Sequence, residues 1–356
     1  MSLMKGMDVS MLRELEECGA KYYFNEEEMD IFQIFSKTGV NAVRLRLWHT
    51  PFSKEELPYG GGTNDLLTTI LLAQRIMRYG LDFILDIHYS DFWTDPKKQI
   101  KPKAWENLHG VELENAVYNY TKKVLNELKA FDIKTKYVQV GNEITKGFLW
   151  PDGHIENHEG MVKLLRAGIQ AVKEFDPDIK IILHLDYGTD NALYLEWFHM
   201  IEPYHLEFDI IGMSYYPYWN GDLQSLLFNM NDISKTFGKD IIVAETAFGY
   251  TSDSFGCKGM IFSDELAETV PYEISKEGQK HFMKDLMNTL HNVEENHGLG
   301  FIYWEPSWLP IKECTWATKE GCVYTKDEGE IGNSWANQAL FDEKGKANPV
   351  FELFNE

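Results

Sequence analysis

Eight times along this chain a short β-branched or aromatic run gives way to a stretch with apolar residues at three- and four-residue intervals, a rhythm that leaves few folds open. The strand-like runs lie at 4–10, 41–48, 81–89, 136–143, 180–186, 208–217, 240–247 and 299–305. Between them the spacing predicts helix at 65–79, 112–131, 159–175, 191–201, 223–237 and 276–296, with helical material near 11–37 that breaks at Gly19 and resumes at 28–37, and a closing helix near 348–354. In the 112–131 stretch Leu113, Val117, Tyr120, Val124 and Leu128 share one face. The pattern never shifts to strands alone or helices alone, and no low-complexity linker divides it. The expected fold is therefore α/β, a (β/α)8 TIM barrel forming one catalytic domain over residues 1–356. Its excess over the roughly 250 residues typical of such barrels follows strands, at 51–64, 90–109, 248–275 and 306–336, which makes those segments long catalytic-face loops.

Two of the strands end alike. Lys136-Tyr137-Val138-Gln139-Val140-Gly141 runs into Asn142-Glu143, and Asp240-Ile241-Ile242-Val243-Ala244 runs into Glu245. A core would not hold these polar ends unpaired, and barrel enzymes carry their chemistry at strand C-termini. Two carboxylates delivered this way suit glycosidic bond cleavage, which needs a proton donor and a nucleophile or base. The plainer alternative makes both glutamates strand-end caps or ion-pair partners.

Other residues sort around that pair. Arg44, at the end of a buried strand, reads as a partner for an active-site carboxylate, because lone buried arginines are rare. In Asp86-Ile87-His88-Tyr89-Ser90-Asp91-Phe92-Trp93, His88 and Asp91 can bond sugar hydroxyls and Trp93 can stack on a ring; a self-satisfied loop network is the competing account. Met213-Ser214-Tyr215-Tyr216-Pro217-Tyr218-Trp219 holds more aromatics than a core needs, so Tyr215 and Trp219 are expected to face substrate or the nucleophile. Pro58 to Asp65 is glycine-rich but lacks the Lys-Ser/Thr ending of a phosphate loop. His154 and His158 are four apart, yet Pro151 and Gly153 make that segment a loop without a metal cage.

A net charge of −22 argues against nucleic acid or an anionic membrane as partner, and no apolar run approaches a membrane span. A neutral polymer is indifferent to that field, and 10 Trp, 18 Tyr and 21 Phe supply flat faces for sugars. Four cysteines make no disulfide scaffold: Cys18 reads as a core thiol, and Cys314 and Cys322 are spaced for a local bridge. The sequence carries no signal peptide, so secretion or a cell-surface location, the expected compartment, would need a leader absent from this chain; a cytoplasmic location is the alternative.

Val43-Arg44-Leu45-Arg46-Leu47-Trp48, the 86–93 stretch, Lys101 to Trp105, Val138 to Glu143, Gly212 to Trp219 and Val243 to Tyr250, in that order along nearly the whole chain, resemble the arabinogalactan endo-β-1,4-galactanases of glycoside hydrolase family 53. The resemblance implies a retaining barrel hydrolase acting on the β-1,4-galactan side chains of pectin, with Glu143 as acid/base and Glu245 as nucleophile. It implies too that Arg44, His88, Asn142, Tyr215 and Trp304 line the subsite where the bond breaks, Asn142 on the 2-hydroxyl. Some bacterial members hold calcium in the loop after the seventh strand. Here that loop reads Thr251-Ser252-Asp253-Ser254-Phe255-Gly256-Cys257, in which only Asp253 fits, so the expectation is a monomer with no metal or other cofactor, calcium being the one ion the resemblance leaves open. The competing functions are the same machinery on mannan or xylan, and a barrel that binds glycans without cutting them.

Overall fold

A computed structural model describes residues 3–355. Its parallel strands β1 (Met4–Asp8), β2 (Ala42–Leu47), β3 (Asp82–Ile87), β4 (Thr135–Val140), β5 (Lys180–Leu185), β6 (Ile210–Ser214), β7 (Asp240–Thr246) and β8 (Gly298–Trp304) close into a TIM barrel, each hydrogen-bonded to its neighbours in sequence. The ring shuts where β1 meets both β8 and β2, with Asp8 opposite Trp304 on one side and Arg44 on the other. Around it run α1 (Ile31–Thr38), α2 (Leu66–Arg78), α3 (Gly110–Ala130), α4 (His158–Phe175), α5 (Asn191–Ile201), α6 (Leu223–Phe237) and α7 (Lys276–His291). Several start on a residue whose side-chain oxygen takes an otherwise orphaned amide: Asp30 accepts from Phe32, Asp65 from Thr68, Asp222 from Ser225 and Ser275 from Gly278. After β8 the wall is closed by a 3-10 turn, Pro349–Asn355, whose Phe354 carbonyl accepts from Lys5 Nζ at 2.6 Å.

The region before α1 departs from expectation. Tyr22–Phe24 and Glu27–Met29 pair as a hairpin instead of continuing a helix. Asn25 and Glu26 both take left-handed backbone angles, the two-residue turn that matches strand twist, and Tyr23 then bonds Gly345 and Ala347. The helix predicted to 296 stops at His291. All four cysteines are free; Cys18 is exposed at the end of the short helix Leu12–Glu17 rather than in the core, and no bridge joins Cys314 to Cys322. Among the described residues no helix is long and apolar enough to cross a membrane.

Side chains alternate across a strand, so every second residue of each strand enters the barrel. At the lower end these are Met4, Ala42, Ile84, Ile182, Ile210, Ile242, Ala244 and Ile302, an apolar cluster separate from the larger core between strands and helices. Two residues further up, the same alternation admits Arg44 after Ala42, Asp86 after Ile84, His184 after Ile182 and Trp304 after Ile302. A polar layer thus rests on an apolar plug. Strand β7 breaks the count. Ile242 and Ala244 point inward, which by alternation would send Glu245 out, but the register slips between Met213 and Ser214 on one flank and between Phe301 and Tyr303 on the other. That bulge gives two successive inward residues and brings Glu245 into the polar layer.

Candidate active site

Arg44 organises the polar layer. Its Nε donates to Asp8 at 2.7 Å, Nη2 to Glu245 Oε1 at 2.7 Å and Nη1 to Gln139 Oε1 at 3.2 Å, with Asp86 4.0 Å away. Burial disfavours all these charges, but the carboxylates outweigh it and hold the guanidinium more firmly protonated than usual. Burial likewise works against the Asp8 carboxylate, and Arg44 and Arg46 overcome it, keeping its pKa below the ordinary value. Arg46 pairs with Glu305 at 2.6 Å, and its guanidinium lies 4.2 Å from the ring centroid of Trp93.

The two strand-end glutamates meet unlike surroundings. Glu245 holds the Arg44 contact on one oxygen and the Tyr216 hydroxyl at 3.1 Å on the other. Burial raises its pKa and Arg44 opposes that rise by charge and hydrogen bond. Among the described residues no cation makes an ion pair with Glu143. Its Oε1 accepts from Ser214 at 2.6 Å, while burial first and then the negative charges of Glu245 and Asp186 push it well above the carboxylate range. Asp186, bonded to the Thr145 hydroxyl, is itself pushed up to about 6 by burial. Glu143 also sits in left-handed backbone, φ 46°, two residues beyond Gly141 at φ 84°. For a non-glycine residue such a turn costs on the order of 1 kcal/mol, and it swings the side chain off the strand axis.

Both glutamates line one cleft of about 390 Å³, with Arg44, His88, Trp93, Asn142 and Trp304 of the expected residues in its wall. His88 is fixed by Trp48 Nε1 at 3.3 Å on Nδ1, which leaves Nε2 to donate to Asp86 at 3.2 Å. Asn142 donates one amide hydrogen to the Thr94 carbonyl at 3.0 Å, and its oxygen accepts from Gln139 Nε2 at 3.1 Å. Trp93 donates to the Trp316 carbonyl, and its ring and that of Trp304 lie 5.9 Å apart. Trp316 and Trp335, from the loop after β8, complete an aromatic wall beside Asp327 and Glu330.

Three expectations are corrected. Tyr215 faces away from the cleft: with Ser214 inward, alternation sends the next residue out, and its hydroxyl bonds Gly221 while its ring stacks on Phe282 of α7. Tyr216 takes the inward position and reaches Glu245. Asp91 does not face sugar either. It is fully buried, accepting from the Thr50 amide at 2.9 Å and from the Lys103 amide and Nζ at 2.8 Å each, so it staples the loop after β2 to the loop after β3. Trp219 stands outside the cleft, 52% exposed, its ring 5.3 Å from that of Tyr216. The site residues that sequence reasoning passed over are Asp8, Gln139, His184, Ser214 and Tyr216. Strand parity counted upward from the apolar plug would have found His184 and, with Ser214 as anchor, Tyr216.

Among the described residues no group of three or more His, Cys, Asp or Glu could hold a metal ion. In the 251–257 stretch after β7, Asp253 spends its carboxylate on the Phe255 amide at 2.7 Å, and that stretch contains no second acidic or imidazole side chain, a poor fit to calcium. His154 accepts from the Glu156 amide.

A family model described as Glycosyl hydrolase family 53 matches residues 4–354. The endo-beta-1,4-galactanase of Bacillus subtilis strain 168 is 34% identical, the alignment covering 98% of this chain and 85% of that protein. The arabinogalactan endo-beta-1,4-galactanase of Cellvibrio japonicus is 32% identical over 98% of this chain and 89% of that one. Among solved structures, the GH53 catalytic domain of Ignisphaera aggregans has a TM-score of 0.92 at 38% identity, covering 99% of this chain and 95% of its own.

Proposed function

The chain belongs to glycosyl hydrolase family 53 and is a glycoside hydrolase, and from that premise we propose that it cleaves internal β-1,4-galactosidic bonds of arabinogalactan with net retention, Glu143 serving as acid/base and Glu245 as nucleophile. The observation that carries the assignment is the asymmetry between the two carboxyls. Glu245, bridged to Arg44, is the one the barrel supports as an anion, whereas Glu143, surrounded by negative charge and given only a neutral donor, is the one that keeps a proton. Glu143 then protonates the leaving oxygen as Glu245 attacks the anomeric carbon. Water resolves the glycosyl-enzyme with Glu143 acting as base. Asn142, its amide oriented by Thr94 and Gln139, offers the 2-hydroxyl a fixed partner that gains strength as charge develops. Names of relatives support galactan over the same machinery on mannan or xylan. We further infer a monomer acting outside the cell or at its surface, where a polymer is met intact, with residues 1–356 as one catalytic unit.

The test is stereochemical. Incubation with galactan and mannan, followed by reducing-end assay, decides the backbone, and proton NMR of early galactan digestion must show the β-anomer first. With an activated aryl β-galactobioside and azide, Glu143→Ala is expected to give the β-glycosyl azide after two displacements and Glu245→Ala the α-azide after one. Exchanged configurations would exchange the roles, and an initial α-anomer would end the retaining mechanism.

A further inference from the structure

Beneath Glu143 lies a buried chain of donors and acceptors that the two-carboxylate mechanism does not use. Ser214 Oγ is 2.6 Å from Glu143 Oε1 and 2.9 Å from His184 Nε2; His184 Nδ1 is 3.1 Å from Gln139 Nε2 and 3.1 Å from Asn142 Oδ1. Proton positions follow from the ends of the chain. Arg44 can only donate and the Asp86 carboxylate can only accept, so Gln139 must turn its oxygen to Arg44 and its nitrogen to Asp86, at 3.2 and 2.7 Å. Its remaining hydrogen faces His184 Nδ1 and Asn142 Oδ1; at the other end Ser214 donates its one proton to Glu143, so its oxygen accepts from Nε2, and Nδ1 of a neutral ring is the acceptor. Burial first, and then the positive charge of Arg44, holds the His184 pKa well below its ordinary value, so the ring is neutral and its single proton lies on Nε2. Nε2 then donates to Ser214, and the one hydroxyl proton of Ser214 is directed at Glu143. Room for this crossing comes from Gly212, paired with His184 in the sheet, where a Cβ would come 3.4 Å from the His184 Cα and 2.9 Å from Ile182.

We propose that Ser214, oriented by His184, is the positioning residue of the acid/base: by occupying Oε1 of Glu143 it confines the transferable proton to Oε2, the oxygen left for the glycosidic bond, and through His184 it ties that carboxyl to the Gln139 amide. The proposal rests on the assignment of Glu143 as acid/base. The ionisable groups that face Glu143 include the carboxyls of Glu245 from β7, Asp186 beyond β5 and Asp95 from the loop after β3, and the phenols of Tyr187, Tyr194 and Tyr216; among the described residues Ser214 is the one side-chain hydrogen-bond donor to it. Those facing His184 are Arg44 and His88.

The experiment compares Ser214→Ala, His184→Asn and His184→Gln by pH profiles of kcat/KM on galactan and on an aryl β-galactobioside with a good leaving group. Removing a donor from a carboxylate raises its pKa, so Ser214→Ala should move the alkaline limb on galactan upward by about one pH unit, with kcat down about tenfold. The aryl substrate, whose departure needs no proton, should change by less than about threefold. Glutamine sets its amide nitrogen near the place of Nε2 and should keep most activity; asparagine is too short to reach Ser214 and should follow Ser214→Ala. Circular dichroism melts check folding, and Ser214→Ala, which deletes one oxygen, carries the test if a histidine variant does not fold. An unmoved alkaline limb, or equal losses on both substrates at every pH, overturns the proposal. Azide rescue of Glu143→Ala is run alongside: an α-azide means that the acid/base assignment has failed, and a β-azide with an inert Ser214 means that only the positioning role has.

Discussion

Arg44→Met takes from Asp8, Asp86 and Glu245 the buried cation they share and leaves Arg46, 3.5 Å from Asp8, as the cation at that end. Breaking a buried pair from one side costs about 3–5 kcal/mol, and because Arg44 touches two carboxylates at 2.7 Å and lies 4.0 Å from a third, the upper end applies. With an unfolding entropy of about 2.1 cal/mol/K per residue, a chain of 356 residues loses roughly 7 °C in Tm for about 5 kcal/mol. The loss should depend on pH in a stated direction. In the native protein the Asp8 pKa is depressed, so its contribution is present above the unfolded value and lost only as pH falls below that. Without Arg44, burial is less opposed at Asp8, where Arg46 and Ser10 remain, and loses its counterweight at Glu245, whose pKa is already raised; the folded variant then takes up protons before the unfolded chain does and gains stability as pH falls from neutrality towards about 4. Calorimetry should therefore find the gap to the native protein widest at neutral pH and no more than about half as large near pH 4.5. A gap of constant size would mean that Arg44 contributes packing and not charge, and a gap that widened in acid would contradict the electrostatic account outright.

Tyr216→Phe removes a hydrogen bond to a charged carboxylate, commonly about 1.5–3 kcal/mol, so kcat/KM on galactan should fall roughly 10- to 100-fold, whereas Tyr215→Phe should cost stability and leave kcat within about twofold; equal kinetic losses would contradict the two orientations. Asp91→Asn weakens the staple between two loops and should lower Tm in thermal melts by a few degrees while the pH profile of kcat stays unmoved. Treatment with EDTA should change neither activity nor Tm, and restoration by calcium after a large loss would reverse the reading of the loop after β7. Galactan viscosity should fall early in digestion, because an open cleft walled by tryptophans accepts internal bonds; release of galactose from an otherwise intact polymer would count against it.

Strand positions were legible because a strand buried on both faces must be apolar on both, a signal no surface segment imitates. Glu143 and Glu245 were legible for the converse reason, as polar ends on such runs. The hairpin at Tyr22–Met29 was not, since it depends on Gly345 and Ala347, more than 300 residues away, and on left-handed angles at Asn25 and Glu26 that neither residue announces. Asp91 misled because a carboxylate that binds sugar and one that binds three backbone and ammonium donors have the same identity and the same position after a strand. The choice between Tyr215 and Tyr216 turned on parity, which needs one anchored residue before it can be counted. Trp316 and Trp335 entered the cleft from a loop with no periodicity to read.

The bulge in β7 divides that strand into two independent rulers. Below it, Ile242 and Ala244 are measured against the plug, and any change of length there would disturb the packing of every strand around them. Above it, the distance is measured only to Glu245, so gaining a single residue between Ala244 and Glu245 would turn the carboxylate towards the helices while the plug stayed whole. Such a protein would fold, bind its ring of loops as before and cut nothing. A strand built this way lets chemistry be deleted, or moved to a neighbouring position, by the smallest insertion a gene can suffer in frame, with the scaffold unaware of it.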